Sequence, residues 1–167
     1  MLRAAGIVAL VVLAACGQPS SGPVHSPTPV VAEGNWNQNL TFTGDLAGLM
    51  KGIVPDSGDQ TSTCTGTRTH IGETWADTFY GVMDSSGKVW GVVFVINNFR
   101  GPGTYSDASV KVEVHSADLV QVWGVPGDKI TFTIERGQQS GTVSAKMTNA
   151  NTGKSTLQLN GEWNCRA

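Results

Sequence analysis

The second half of the chain alternates apolar and polar residues with a period of two, and no other feature constrains the fold as much. Val110, Val112 and Val114 face one way, with Lys111, Glu113 and His115 between them. Ile130, Phe132 and Ile134 alternate with Lys129, Thr131, Thr133 and Glu135. Val143, Ala145 and Met147 alternate with Thr142, Ser144, Lys146 and Thr148. Leu157, Leu159, Gly161, Trp163 and Cys165 share a face opposite Thr156, Gln158, Asn160, Glu162 and Asn164. An extended strand turns successive side chains to opposite faces, so each stretch offers one face to a core and one to water.

The first half continues the pattern less regularly. Leu40 and Phe42 alternate with Asn39, Thr41 and Thr43. Gly44, Gly48 and Gly52 punctuate the next stretch, and several glycines disfavour a helix there, so a strand with close backbone approaches is expected. Ser62 to Ile71 and Trp75 to Met83 read as two further strands. Lys88 to Ile96 is almost wholly apolar after its first residue. Such a run predicts a strand buried on both faces at the centre of the core. Leu119 to Trp123 is a short apolar stretch.

Turn signals separate these segments: Pro55 to Asp59, Asp84 to Gly87, and Gly101-Pro102-Gly103. No sustained helical period occurs after the first residues. About nine short strands with short connections predict an all-β domain, an antiparallel β-sandwich or a flattened barrel, over residues 35–167.

The start of the chain is of another kind. Arg3 precedes the apolar run Ile7 to Leu13, which leads into Leu13-Ala14-Ala15-Cys16. A basic residue, an apolar stretch and small residues make a secretory signal, and the run is short of the roughly 20 residues a spanning helix needs. With a cysteine directly after the small residues, the segment resembles a bacterial lipoprotein precursor. That resemblance implies cleavage before Cys16, with residues 1–15 the signal peptide, and acylation of Cys16. It places the protein on the extracytoplasmic face of a cell membrane, with the lipid bilayer as a partner through acylated Cys16. Residues 16–34, with Pro19, Pro23, Pro27 and Pro29 among Ser, Thr and Gly, have no apolar period and read as a disordered tether.

Two cysteines remain, Cys64 and Cys165. An even pair in an exported chain points to a disulfide, and no other Cys or His stands beside either at metal-ligand spacing. Cys165 shares parity with the core-facing residues of its stretch, where a partner strand can meet it.

The composition excludes more than it proposes. Charged residues make up 14% of the chain, against roughly 25% in an average protein. The net charge of −2 leaves no basic footprint for nucleic acid. No nucleophile elbow, zinc-protease helix motif or phosphate loop occurs. His115 falls on the polar face of its strand, which predicts a surface histidine. A triad of His70, Asp77 and a serine can be drawn, but among so many serines it carries no weight. Asp56, Asp59 and Asp84 read as turn residues, since calcium needs six to eight oxygens in a defined array. No catalytic residue, cofactor or metal is therefore assigned.

The five tryptophans are the open question. Trp90 and Trp163 lie in phase with apolar neighbours and belong to a core. Trp36 at the domain entrance, Trp123 before Gly124-Val125-Pro126-Gly127, and Tyr105 beside the Gly101-Pro102-Gly103 turn are the candidates for an exposed ligand platform. Packing is the competing role for each.

The second half, with Gly101-Pro102-Gly103-Thr104-Tyr105 after a hydrophobic strand and a closing Gly161-Glu162-Trp163-Asn164-Cys165, is also similar to small exported lipoproteins of unassigned function. That similarity implies a β-sandwich with a disulfide on its last strand and carries over no catalytic residue. The expectation is a lipid-anchored envelope protein whose domain binds a ligand such as a glycan, or an envelope protein, without catalysis. The alternatives are a structural or surface-interaction lipoprotein without a small ligand, and an uncharacterised hydrolase.

Overall fold

In chain order the strands are β1 (Asn35–Gly44), β2 (Gly48–Lys51), β3 (Thr63–Cys64), β4 (Trp75–Val82), β5 (Val89–Ile96), β6 (Gly103–Ser106), β7 (Lys111–Ser116), β8 (Val122–Trp123), β9 (Lys129–Ile134), β10 (Ser140–Thr148) and β11 (Ser155–Arg166). They come from a computed structural model that describes residues 35–52, 62–64 and 69–166. The expected signal peptide, Cys16 and the expected tether lie outside the described residues, as do Asp56 and Asp59.

Two antiparallel sheets form. One has six strands in the order β2-β1-β11-β10-β9-β6, the other five in the order β3-β4-β5-β7-β8. The sheets do not close into a barrel, so of the two architectures expected the sandwich is the one formed. Eleven strands form among the described residues against the nine or so expected, and β6 lies where the sequence marked only a turn.

The alternation places the core as expected. Leu40, Phe42, Phe132, Val143, Leu159 and Trp163 are buried from the larger sheet. Trp75, Phe79, Trp90, Val92, Phe94 and Val114 are buried from the smaller. Trp75 lies 5.4 Å from Trp163 between ring centroids, Trp163 stacks on Phe132 at 5.6 Å, and Phe132 meets Phe94 at 4.8 Å. Full burial of a large side chain contributes about 1.5–3 kcal/mol, so this inter-sheet aromatic cluster is a main source of cohesion.

Two corners join the sheets. Met50 bridges Met83, and the Leu49 N–H donates to Asp84 at 2.7 Å. Trp123 bridges Asn149, and the Gly124 N–H donates to the Thr148 carbonyl at 3.0 Å. Asp84 thus holds β2 against the turn after β4 as well as shaping that turn.

Several expectations are corrected. β5 is the middle strand of its sheet, but only its Trp90, Val92, Phe94 and Ile96 face is fully buried. Val89, Val93 and Val95 are half-buried, because the second face of that sheet is not sandwiched as the first is. Of the strand expected over Ser62 to Ile71, Thr63–Cys64 pairs with β4, while residues 65–68 lie outside the described set and His70 sits in an exposed turn. In the stretch Leu119 to Trp123 only the last two residues are strand. Leu119 and Val120 stand exposed in the preceding turn.

His115 is not a surface residue. It is on the face its parity predicts, yet only 4% exposed. Its cross-strand partner is Gly91, and the imidazole fills the space above that glycine, edge-on to Tyr80 at 5.7 Å. A side chain can lie down on a sheet where its neighbour has none.

Candidate functional site

β6 connects to the smaller sheet at both of its ends. Asn97–Pro102 brings the chain in from β5, and a single 3₁₀ turn, Asp107–Ser109, takes it out to β7. Beside these connectors, and bounded also by the turn before β9, lies a cavity of about 500 Å³. That volume falls in the roughly 300–1,000 Å³ range of small-molecule sites.

The apolar lining comes from strand alternation. Val110, Val112 and Ile130 are buried core residues whose side chains also reach the cavity, and Val95, Val125 and Pro126 complete that surface. Asn97 and Asn98 supply neutral polar groups, and Arg100, Lys111, Asp107 and Asp128 bring two cations and two carboxylates to the lining.

The walls are held by specific bonds. The Asp107 carboxylate accepts the Ile130 N–H at 3.1 Å and meets the Lys129 ammonium at 3.6 Å, fixing the 3₁₀ turn to β9. Asp107 itself has a positive φ of 44°, a conformation that Asp tolerates better than most residues. Buried Asp128 accepts the Val125 N–H at 2.9 Å and the Thr148 N–H at 3.1 Å, closing the turn opposite. Gly124 enters that turn with φ +118° and passes so close to the Val112 carbonyl that a side chain there would collide with it.

Tyr105 and Trp123 are corrected from exposed platform to interior. Tyr105 is 2% exposed and stacks on Phe99 at 6.2 Å. Its hydroxyl accepts the Arg100 N–H at 2.9 Å and donates to the Gly101 carbonyl at 2.6 Å, so it anchors the turn from within. Trp123 is 3% exposed and packs on Trp90 at 5.9 Å. A rigid aromatic next to a glycine turn is as useful for pinning that turn as for meeting a ligand, and sequence does not separate the two. The side chain of Trp36 lies outside the described set; its backbone pairs with Cys165.

Cys64 and Cys165 are joined as a disulfide with Cα atoms 6.1 Å apart, tying edge strand β3 to β11 of the facing sheet. Fully buried Asp77 lies beside it, its Oδ2 3.5 Å from the Cys165 sulfur and 3.8 Å from the Cys64 sulfur. These three form the one cluster of metal-ligand type among the described residues. With both sulfurs in the disulfide, neither is the thiolate that a metal requires.

His70 is exposed, with Nδ1 3.3 Å from Glu73 Oε2. The His70 backbone N–H, together with the ring, holds the Glu73 carboxyl below its ordinary range. Among the described residues no helix is long and apolar enough to cross a membrane. Comparison with known proteins found no matching family model, curated protein or solved structure.

The sequence reading missed the cavity residues altogether. Arg100, Asp107 and Asp128 carry no motif, and Val95, Val112 and Ile130 read only as core. The one usable signal was a cluster of turn-forming residues, Asn97 to Gly103 and Gly124 to Asp128, in two connections that the fold brings together.

Proposed function

We propose that the protein is a lipid-anchored extracytoplasmic lipoprotein whose β-sandwich is a non-catalytic binding module, with the cavity between β5, β7 and β9 as its ligand site. The observation that carries this proposal is the cavity itself, about 500 Å³, with an apolar lining and a few polar groups from turns braced by the carboxylates of Asp107 and Asp128. Such a combination is the usual form of a small-molecule site. The anchor is supported by Leu13-Ala14-Ala15-Cys16 after an apolar run, and export is supported by the disulfide, a bond that persists in oxidising compartments.

Two measurements test it. The full chain should incorporate labelled palmitate and partition with membranes, and Cys16→Ser should do neither; membrane-bound, labelled Cys16→Ser protein overturns the anchor. Thermal unfolding against glycans, lipids and divalent ions, with a chelator control, tests the module. A ligand at a hundred times its dissociation constant adds about 2.7 kcal/mol, enough for a clear shift of the midpoint.

A second reading, a surface-interaction lipoprotein without a small ligand, is favoured by Leu119 and Val120. They stand 62% and 64% exposed on a turn that Asp118 and Ser116 hold rigid. A flat thermal panel together with a stoichiometric envelope protein captured through that turn would favour this reading.

A further inference from the structure

We infer that the cavity selects a small amphipathic anion, an apolar body carrying one carboxylate, and that Arg100 holds the charged end. The inference rests on the binding-module reading above and specifies its ligand class.

The charge inventory around the cavity supports an anion. Asp107 is engaged with the Ile130 N–H and Lys129. Asp128 is buried and takes two backbone N–H groups, Val125 and Thr148. Lys111 is paired with Glu113 at 2.7 Å. Arg100 is different: among the described residues it has no carboxylate partner. Its guanidinium carbon lies 5.4 Å from the centroid of the Tyr105 ring.

That ring is a fixed support. Tyr105 is buried, stacked on Phe99 and bonded through its hydroxyl to the backbone on both sides of the Arg100–Gly101 peptide. A guanidinium resting on an aromatic face keeps its N–H fork for a planar acceptor, and a carboxylate matches that fork in two parallel bonds. Asn97 and Asn98, from the same connection, add neutral donors at the cavity wall. The buried valines and Ile130 then receive an apolar body and no second charge, because burying an unpaired charge there is costly.

The test uses isothermal titration of the full chain in phosphatidylcholine nanodiscs, with empty nanodiscs as the blank. The probes are 4-phenylbutyrate, 4-phenylbutanol and 4-phenylbutylamine, which share an apolar body and differ in charge. The expected result is that the butyrate binds at least about tenfold more tightly than the alcohol or the amine, a charge-assisted pair being roughly twice as strong as a neutral one. Arg100→Gln, at an exposed position, should erase that preference while leaving the weak binding of the alcohol unchanged. Equal binding of all three probes would overturn the anion inference and leave the cavity reading standing. A preference that survives Arg100→Gln would overturn the role of Arg100. Binding of none of the three would overturn both the inference and the cavity as a ligand site.

Discussion

His115 occupies the space that a side chain on Gly91 would need. The two residues are directly paired across β5 and β7, and the ring is further held by Ser116, whose carbonyl lies 3.0 Å from Nδ1. Gly91→Ala should therefore force the imidazole out and cost about 1–3 kcal/mol, the usual range for overpacking. In a His115→Ala background the same substitution should cost much less. Urea unfolding of the four proteins of this double-mutant cycle measures the coupling. Additive costs would mean that the ring moves aside freely.

The disulfide should matter more than any single surface contact. It joins residues 101 positions apart and fastens edge strand β3, only two residues long, to β11. Replacing Cys64 and Cys165 together with serine should cost about 2–5 kcal/mol. A thiol reductant should lower the unfolding midpoint of the parent chain and leave that of the double variant unchanged. A parent midpoint insensitive to full reduction would contradict this.

Tyr105→Phe should loosen the Asn97–Pro102 connection without opening the core. The ring still fits against Phe99, but the Arg100 N–H and the Gly101 carbonyl both lose their partner. The expected cost is about 1–3 kcal/mol. Amide exchange at Arg100 should accelerate more than exchange in β9. Uniform acceleration across both would mean that the hydroxyl supports the whole sheet rather than the turn.

The turn that carries Leu119 and Val120 should depend on pH at the acid end. The Ser116 hydroxyl, and after it the Val120 N–H, hold the Asp118 carboxyl below its ordinary value of 3.8. A carboxyl whose pKa is lower when folded contributes stability that is present above 3.8 and lost as the pH falls through the folded value. The amide resonances of Val120 and Gln121 should titrate with a midpoint below 3.8, and Asp118→Asn should abolish the transition. A midpoint at or above 3.8 would contradict the bonding seen in this turn.

The sequence alone determined the longer strands and their inward faces. Ile130, Phe132 and Ile134, or Val143, Ala145 and Met147, carry their own alternation, because the two-residue period of a strand is local and survives without a partner. The pairing of Cys64 with Cys165 was legible for a similar reason: the only other cysteine is Cys16, at the start of the expected tether, and Cys165 points inward by parity. Tertiary structure decided everything that depends on which strand lies beside which. His115 is buried because Gly91 is its neighbour on β5, and parity along β7 cannot report a missing side chain on another strand. Tyr105 went inward onto Phe99 across the Gly101-Pro102-Gly103 turn, and Trp123 onto Trp90, which is distant from it in sequence. The cavity exists because Asp107 and Asp128 brace two connections that approach each other only when β6 is fed from the opposite sheet at both ends. A site of that kind is made by the meeting of loops, and no stretch of the chain holds it alone.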